Sequence, residues 1–192
     1  MNEITDLAVV GAGPSGMMAA IKAASDGRNV ILIEKNSSAG RKLLITGNGR
    51  CNLTNTVPTN EFLKKFNKKG NFLRTAFSRF TNSDLMEFFE SRGLKLKVEE
   101  DGRVFPETDE SKSVLEVLLK EIKRRSVTIM YNSRLRSIDV TQNGFKLTIN
   151  KDEVVMARNV IVATGGVSYR KTGSDGDGHR IAEETGHSVT PL

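Results

Sequence analysis

Gly11-Ala12-Gly13-Pro14-Ser15-Gly16 is the stretch of this sequence whose residue types and spacing point most directly to a chemistry. In a GxGxxG bend one glycine makes the tight turn, one lets the backbone approach a pyrophosphate, and one lets helix and strand pack closely. The following helix then faces the phosphates with its partial positive charge. Here the bend follows the apolar run Asp6–Val10, opens a segment with apolar residues at helical spacing, Pro14–Ser25, and precedes a second apolar run, Asn29–Ile33, that ends in Glu34. Glu34 lies 18 positions after Gly16, where a carboxylate can accept hydrogen bonds from both hydroxyls of a ribose. An acid at that place disfavours a ribose 2′-phosphate, so the site suits FAD or NAD better than NADP, although Lys35 beside it weakens that argument. The bend itself leaves FAD, NAD and a methyltransferase-type nucleotide site all open.

Two further stretches carry residues suited to a cofactor. The long segment Lys35–Val57 has no periodicity and is dense in Gly, Ser, Asn and Thr, which in a compact domain marks a functional loop. Within it Arg41 and Lys42 can neutralise pyrophosphate, and Thr46, Gly47, Asn48 and Gly49 offer small side chains and backbone donors to a flat ring. The apolar run Asn159–Ala163 ends in Thr164-Gly165-Gly166 and repeats the strand-to-glycine geometry of the amino terminus, which adds Ala163, Thr164 and Gly165 to the candidate cofactor-binding set. Cys51, with no partner cysteine, reads as a structural thiol. His187 reads as a surface residue, and His179 as either a helix-start residue or one near the cofactor. No general base is identified, and no metal site is expected.

The elements that must position these residues follow from pattern. Asp6–Val10, Pro14–Ser25 and Asn29–Ile33 form a βαβ unit, with Pro14 suited to a first helical turn and Gly27 to the exit. Short helices are predicted after Asn60, over Phe72–Phe80 and over Asp84–Ser91 from an Asn82-Ser83 start. Strands are predicted at Leu94–Glu99 and Arg103–Phe105, and an amphipathic helix at Ser111–Arg125 carries Val114, Leu115, Leu118, Leu119 and Ile122 on one face. Val127–Tyr131 is a strand. Leu135–Val140 and Phe145–Ile149 flank the hairpin signal Asn143-Gly144, and Val154–Met156 closes a three-stranded antiparallel meander. Ser174–Gly186 is a glycine-rich loop that opens a helix.

GRKLLITGNGRCNLTN (Gly40–Asn55), GRVFPET (Gly102–Thr108), VIVATGGVSY (Val160–Tyr169) and TGSDGDG (Thr172–Gly178) together resemble the successive motifs of the BaiN-like family of NAD(P)/FAD-dependent oxidoreductases. The resemblance runs across essentially the whole chain. It implies a flavoprotein whose residues 1–192 form an α/β, Rossmann-like FAD-binding domain with a central parallel sheet and a small three-stranded meander. That domain would be incomplete, because family members are about twice as long and carry an inserted domain and a carboxy-terminal FAD segment. Arg170, where the family tends to have proline, and His179, where it tends to have an aromatic, depart from the pattern.

Composition narrows the alternatives. A hydrophobic share of 38% without a run long enough to span a bilayer predicts a soluble domain, and the absence of a leader at Met1 predicts a cytoplasmic setting. A single cysteine excludes a CxxC redox pair, so redox chemistry needs a cofactor. The net charge of +6 is spread along the chain, densest at Lys64–Lys69 and Lys120–Arg125, which read as solvated helix faces without a nucleic-acid motif. The expected function is an FAD-dependent oxidoreductase that moves hydride or electrons between NADH or NADPH and a small-molecule substrate that the sequence leaves unidentified, an unsaturated compound being one that the resemblance implies. The rivals are a non-catalytic FAD- or NAD-binding module and a flavoprotein acting in RNA modification. Oligomeric state is left open.

Overall fold

The structure is a computed structural model that describes residues 4–66 and 70–190. It divides into two compact units, Met1–Leu43 with Leu118–Leu192, and Leu44–Val117.

The first unit is built on a six-stranded sheet. β1 (Thr5–Val10) and β2 (Val30–Ile33) run parallel, with Leu7 opposite Val30 and Val10 opposite Ile33. They are apolar without a break over Leu7–Val10 and Val30–Ile33, where both faces are covered, and Ala8, Val9 and Leu32 are completely buried. Between them α1 (Pro14–Ser25) starts with proline in its first turn and turns Met17, Ala20 and Ile21 into the core. β6 (Thr128–Met130) pairs parallel to β2, and the long β9 (Glu153–Val162) pairs parallel to β1 on its other side. β7 (Leu135–Thr141) and β8 (Gly144–Ile149) form an antiparallel hairpin, giving the order β6-β2-β1-β9-β8-β7. Ala8, Val10, Ile33, Leu147, Ile149 and Ile181 pack into one cluster, Ile181 coming from α6 (Asp177–Glu184).

The α/β class, the parallel strands and the meander match the expectation from sequence, with one change. Val154–Met156 and Asn159–Ala163 are not separate strands. No glycine or proline interrupts them, and Ala157 pairs with Phe145 of β8 on one side and Thr5 of β1 on the other, so a single strand carries both ladders. The result is one mixed sheet.

The second unit holds a separate antiparallel sheet in the order β3-β5-β4, from β3 (Thr54–Asn55), β4 (Leu96–Val98) and β5 (Arg103–Pro106). β3 lies inside the segment that sequence reading left irregular. Three short helices follow it, α2 (Thr59–Lys64), α3 (Gly70–Phe77) and α4 (Asn82–Glu90). α4 is capped by Thr81, in a capping box with Asp84, and not by Asn82 or Ser83. The buried Asn82 amide instead donates to the carbonyls of Asn55 and Val57 at 2.6 and 3.0 Å. α5 (Ser111–Arg124) continues from this unit into the first and buries Val114, Leu115, Leu118 and Ile122, with Leu119 half-buried.

Of the two basic stretches, Asn67, Lys68 and Lys69 lie outside the described residues, while Lys64 ends α2. At the end of α5, Arg124 makes a two-pronged ion pair with Glu121 at 2.9 Å. Among the described residues no helix is long and apolar enough to cross a membrane.

Candidate functional site

The three glycines of the bend have different reasons to be glycine. Gly11 has φ +105°, and a Cβ there would sit 2.5 Å from the Ala163 carbonyl oxygen. At Gly16 a Cβ would sit 1.9 Å from the carbonyl oxygen of Gly11, so this glycine lets α1 lie against the end of β1. Gly13 has an ordinary φ of −75°, and a Cβ there would meet nothing within 4 Å. Among the described residues nothing stands where a Cβ on Gly13 would lie.

That open side of Gly13 borders a cavity of about 200 Å³, below the ~300–1,000 Å³ of sites that bury a whole drug-sized ligand. It has room for one end of a dinucleotide. Gly11, Gly13, Pro14 and Ser15 line it from the bend, Glu34, Lys35 and Asn36 from the end of β2, Gly40, Arg41 and Lys42 from the segment beyond, and Ala163, Thr164 and Gly165 from the exit of β9. Every sequence-predicted residue of the first unit except Gly16, which packs underneath, therefore reaches one pocket.

Two features of the lining are chemically unfinished. No side chain of the described residues caps α1, which leaves the amides of its first turn for another acceptor. Lys42, half-buried, makes no ion pair with any described residue. Uncapped amides and an unpaired ammonium suit a phosphate-bearing ligand. Thr164 also lines the pocket, but its Oγ1 is shut away from it, buried without a hydrogen-bond partner among the described residues.

Glu34 is 7% exposed and sits directly at the bend. Its Oε2 accepts the Ala12 N–H at 2.8 Å, and Oε1 accepts the N–H of Asn36 at 2.9 Å and its Nδ2 at 2.7 Å. A carboxylate offers about four acceptor sites, so one remains for a sugar hydroxyl, and taking both would require Asn36 Nδ2 to let go. Asn36 is steadied in turn by Arg41, whose NH1 donates to Asn36 Oδ1 at 2.8 Å. Lys35 is differently placed. Its ammonium is taken up by Asp175 and Asp177 at 2.5 and 2.8 Å, and Arg134 bridges the same two carboxylates at 3.1 and 2.7 Å. Burial pushes the Asp175 carboxyl up, but Lys35 and Arg134 outweigh it and hold the group below the ordinary carboxylate range. The hydrogen bond to Asp177 raises the Arg134 guanidinium in return. Asp175, Asp177, Arg134 and Asn36 escaped sequence reading, and the TGSDGDG motif was the signal that contained two of them.

Thr46, Gly47, Asn48 and Gly49 belong to the second unit. Their loop is wound to the left, with φ +55° at Gly47 and Asn48, +86° at Gly49 and +62° at Cys51. It is keyed to β5 through Phe105: the Arg50 guanidinium lies 4.0 Å above that ring, and a Cβ on Gly47 would fall 3.3 Å from the ring edge and 2.9 Å from the Asn52 nitrogen. Arg50 also reaches Glu99 at 2.7 Å and Asp109 at 3.6 Å. Cys51 is 3% exposed, and burial pushes its thiol up against an opposing hydrogen bond with Thr46, so it is a packed, neutral thiol. His179 sits in the first turn of α6, and His187 is exposed beyond Gly186.

Comparison with known proteins places this geometry. The family described as HI0933-like protein Rossmann domain matches residues 5–192. The 3-dehydro-bile acid delta(4,6)-reductase of Clostridium scindens is 36% identical over 188 residues, 97% of this chain and 45% of that protein. The ribosomal RNA dihydrouridine synthase of Escherichia coli is 32% identical over 187 residues, again 97% of this chain and 46% of the relative. Among solved structures, the open conformation of a flavocytochrome c3 fumarate reductase matches 97% of this chain and 41% of its own with a TM-score of 0.65 and 25% identity. The chain thus spans about half the length of the curated relatives it matches.

Proposed function

Because the chain belongs to the HI0933-like Rossmann-domain family, the family to which its motifs point, we propose that the pocket of the first unit holds the adenosine and pyrophosphate end of FAD. We further propose that the whole protein is an FAD-dependent oxidoreductase, with these 192 residues as its FAD-binding portion and NADH or NADPH as electron donor. The observation that carries the reading is Gly13, where a Cβ would meet nothing among the described residues, facing a cavity beside uncapped helix amides and the unpaired Lys42.

In this reading the first-turn amides of α1 and the Lys42 ammonium bind pyrophosphate, with Arg41 nearby. Glu34 accepts a ribose hydroxyl through its remaining acceptor site and is fixed for that by Ala12 and Asn36. Ala163, Thr164 and Gly165 complete the wall of the pocket beside Gly11. When bound, the flavin supplies two-electron chemistry as hydride transfer.

The names of the relatives support a substrate class. A delta(4,6)-reductase of a 3-dehydro compound, a dihydrouridine synthase and a fumarate reductase each describe saturation of a carbon–carbon double bond made electron-poor by a conjugated carbonyl. We therefore read the substrate as such an unsaturated carbonyl compound, one net hydride going to the β-carbon and one proton to the α-carbon. A second reading is favoured by the dihydrouridine synthase relative and the charge of +6: the same reduction performed on a pyrimidine within RNA.

The test is the visible spectrum of the intact protein under anaerobic conditions. Flavin absorbance that bleaches with NADH or NADPH and returns on adding a conjugated enone supports the main reading. Return only with uridine-containing ribosomal RNA moves the substrate to the second reading. Flavin that binds but cannot be reduced would make the protein a nucleotide-binding module, and absence of flavin together with failure to bind added FAD would end the proposal.

A further inference from the structure

Lys35 poses a question that the position of Glu34 leaves unanswered. A base next to the ribose-binding acid at the end of the second strand is where a nucleotide site gains a hold on a 2′-phosphate, and Lys35 lines the pocket. Its ammonium is nevertheless spent. The side chain is 17% exposed, and two of its three donors are directed at Asp175 Oδ1 and Asp177 Oδ2. Arg134 completes a ring of two cations and two carboxylates with no charge left over, and Arg180 approaches Asp177 from α6 at 3.8 Å.

The neighbouring Glu34 is held only by amides, from Ala12 and Asn36, and not by any cation. The rim of the pocket at the end of β2 therefore carries one uncompensated negative charge, with the carboxylate of Asp177 also among the lining residues. A phosphate placed there meets two carboxylates and a lysine already paired, an arrangement that rejects it by like charge. Of the two other cations that line the pocket from the segment beyond β2, Arg41 is exposed and tied to Asn36, and Lys42 is the one assigned above to the pyrophosphate.

We infer that Asp175 and Asp177 are specificity-determining residues: by caging Lys35 they restrict the pocket to nucleotides with a free 2′-hydroxyl. The inference rests on the nucleotide-binding reading of the pocket given above. It assigns a function to two acids of the TGSDGDG motif, which sequence spacing places about 140 residues from the lysine they neutralise.

Calorimetric titration of the intact protein, freed of bound flavin, with ADP-ribose and with 2′-phospho-ADP-ribose tests it. Wild type prefers the unphosphorylated ligand by roughly tenfold or more. Asp175→Asn narrows that ratio, Asp175→Asn with Asp177→Asn narrows it further or reverses it, and adding Lys35→Met to Asp175→Asn restores the wild-type preference. Asp175 is the first choice for substitution because it is about one-third exposed, and a thermal melt checks that each variant is folded. Equal binding of both ligands by wild type overturns the inference. So does a ratio unchanged in the Asn variants while both affinities fall together, which would make the ring only a structural clasp. Failure of wild type to bind either ligand sinks the pocket reading itself, and this inference with it.

Discussion

The bend at Gly11–Gly16 and the loop at Thr46–Cys51 are both rich in glycine, yet their glycines answer to different demands. In the bend, backbone angles are mostly ordinary, and what matters is what lies beside the missing side chain: a carbonyl at Gly16, empty cavity at Gly13. In the loop the angles themselves are unusual, with four of the five residues Gly47–Cys51 left-handed, two of them not glycine. Within the bend, Gly11 and Gly16 answer to neighbouring carbonyls and Gly13 faces the cavity. The loop is shaped by its own neighbours, Phe105 and the Arg50 bridge to Glu99. Glycine content alone does not separate the two cases, whereas what would surround each missing side chain does.

Substitutions can break this contrast. Gly16→Ala should be the most damaging, since its Cβ would have to occupy the space of a backbone oxygen, and a loss of about 3 kcal/mol or complete failure to fold is expected in urea denaturation. Gly47→Ala, which combines a left-handed φ with a contact at 2.9 Å, should cost about 1–2 kcal/mol by the same measurement. Gly13→Ala should leave stability within about 0.5 kcal/mol and weaken FAD or ADP-ribose binding by roughly tenfold or more. A Gly13→Ala protein that is destabilised but binds nucleotide normally would erase the distinction between the two segments.

Acid provides a finer probe of the bend's surroundings. The fold holds the Asp175 carboxyl below its ordinary value of 3.8, so the charged ring contributes fully above that value and loses its contribution as pH falls further. Acid denaturation of wild type should therefore include a component that disappears in Asp175→Asn. The smallest effect is expected at Asn48→Gly, which relieves a left-handed asparagine at φ +55° and should gain a few tenths of a kcal/mol at most, because asparagine tolerates that conformation well.

Local patterns were readable where neighbours in sequence are neighbours in space. β1, the bend, α1 and β2 could be placed from periodicity, the three glycines of the bend and Gly27, and α1 matches residue for residue. The nearness of Glu34 to the bend was expressed in spacing, but its hold on the Ala12 N–H was not. What could not be read depends on distant partners. The union of two predicted strands into β9 comes from ladders on both sides of Ala157, and the residue types of Ala157-Arg158, between Met156 and Asn159, do not advertise it. The cage around Lys35 joins residues far apart in the chain, so its acids looked like ordinary loop aspartates. Asn82 looked like a helix cap because its type suits one, but Thr81 took that place and freed the amide to brace the backbone of Asn55 and Val57.

The position of β9 also governs the order in which the molecule can be completed during synthesis. β1 can pair with β2 soon after both have left the ribosome, but its other edge waits for a strand encoded about 150 residues later. At translation speeds of roughly 5–20 residues per second that interval lasts on the order of ten seconds. Throughout it the nascent chain carries an open, apolar strand edge of the kind that chaperones shield and that aggregation exploits.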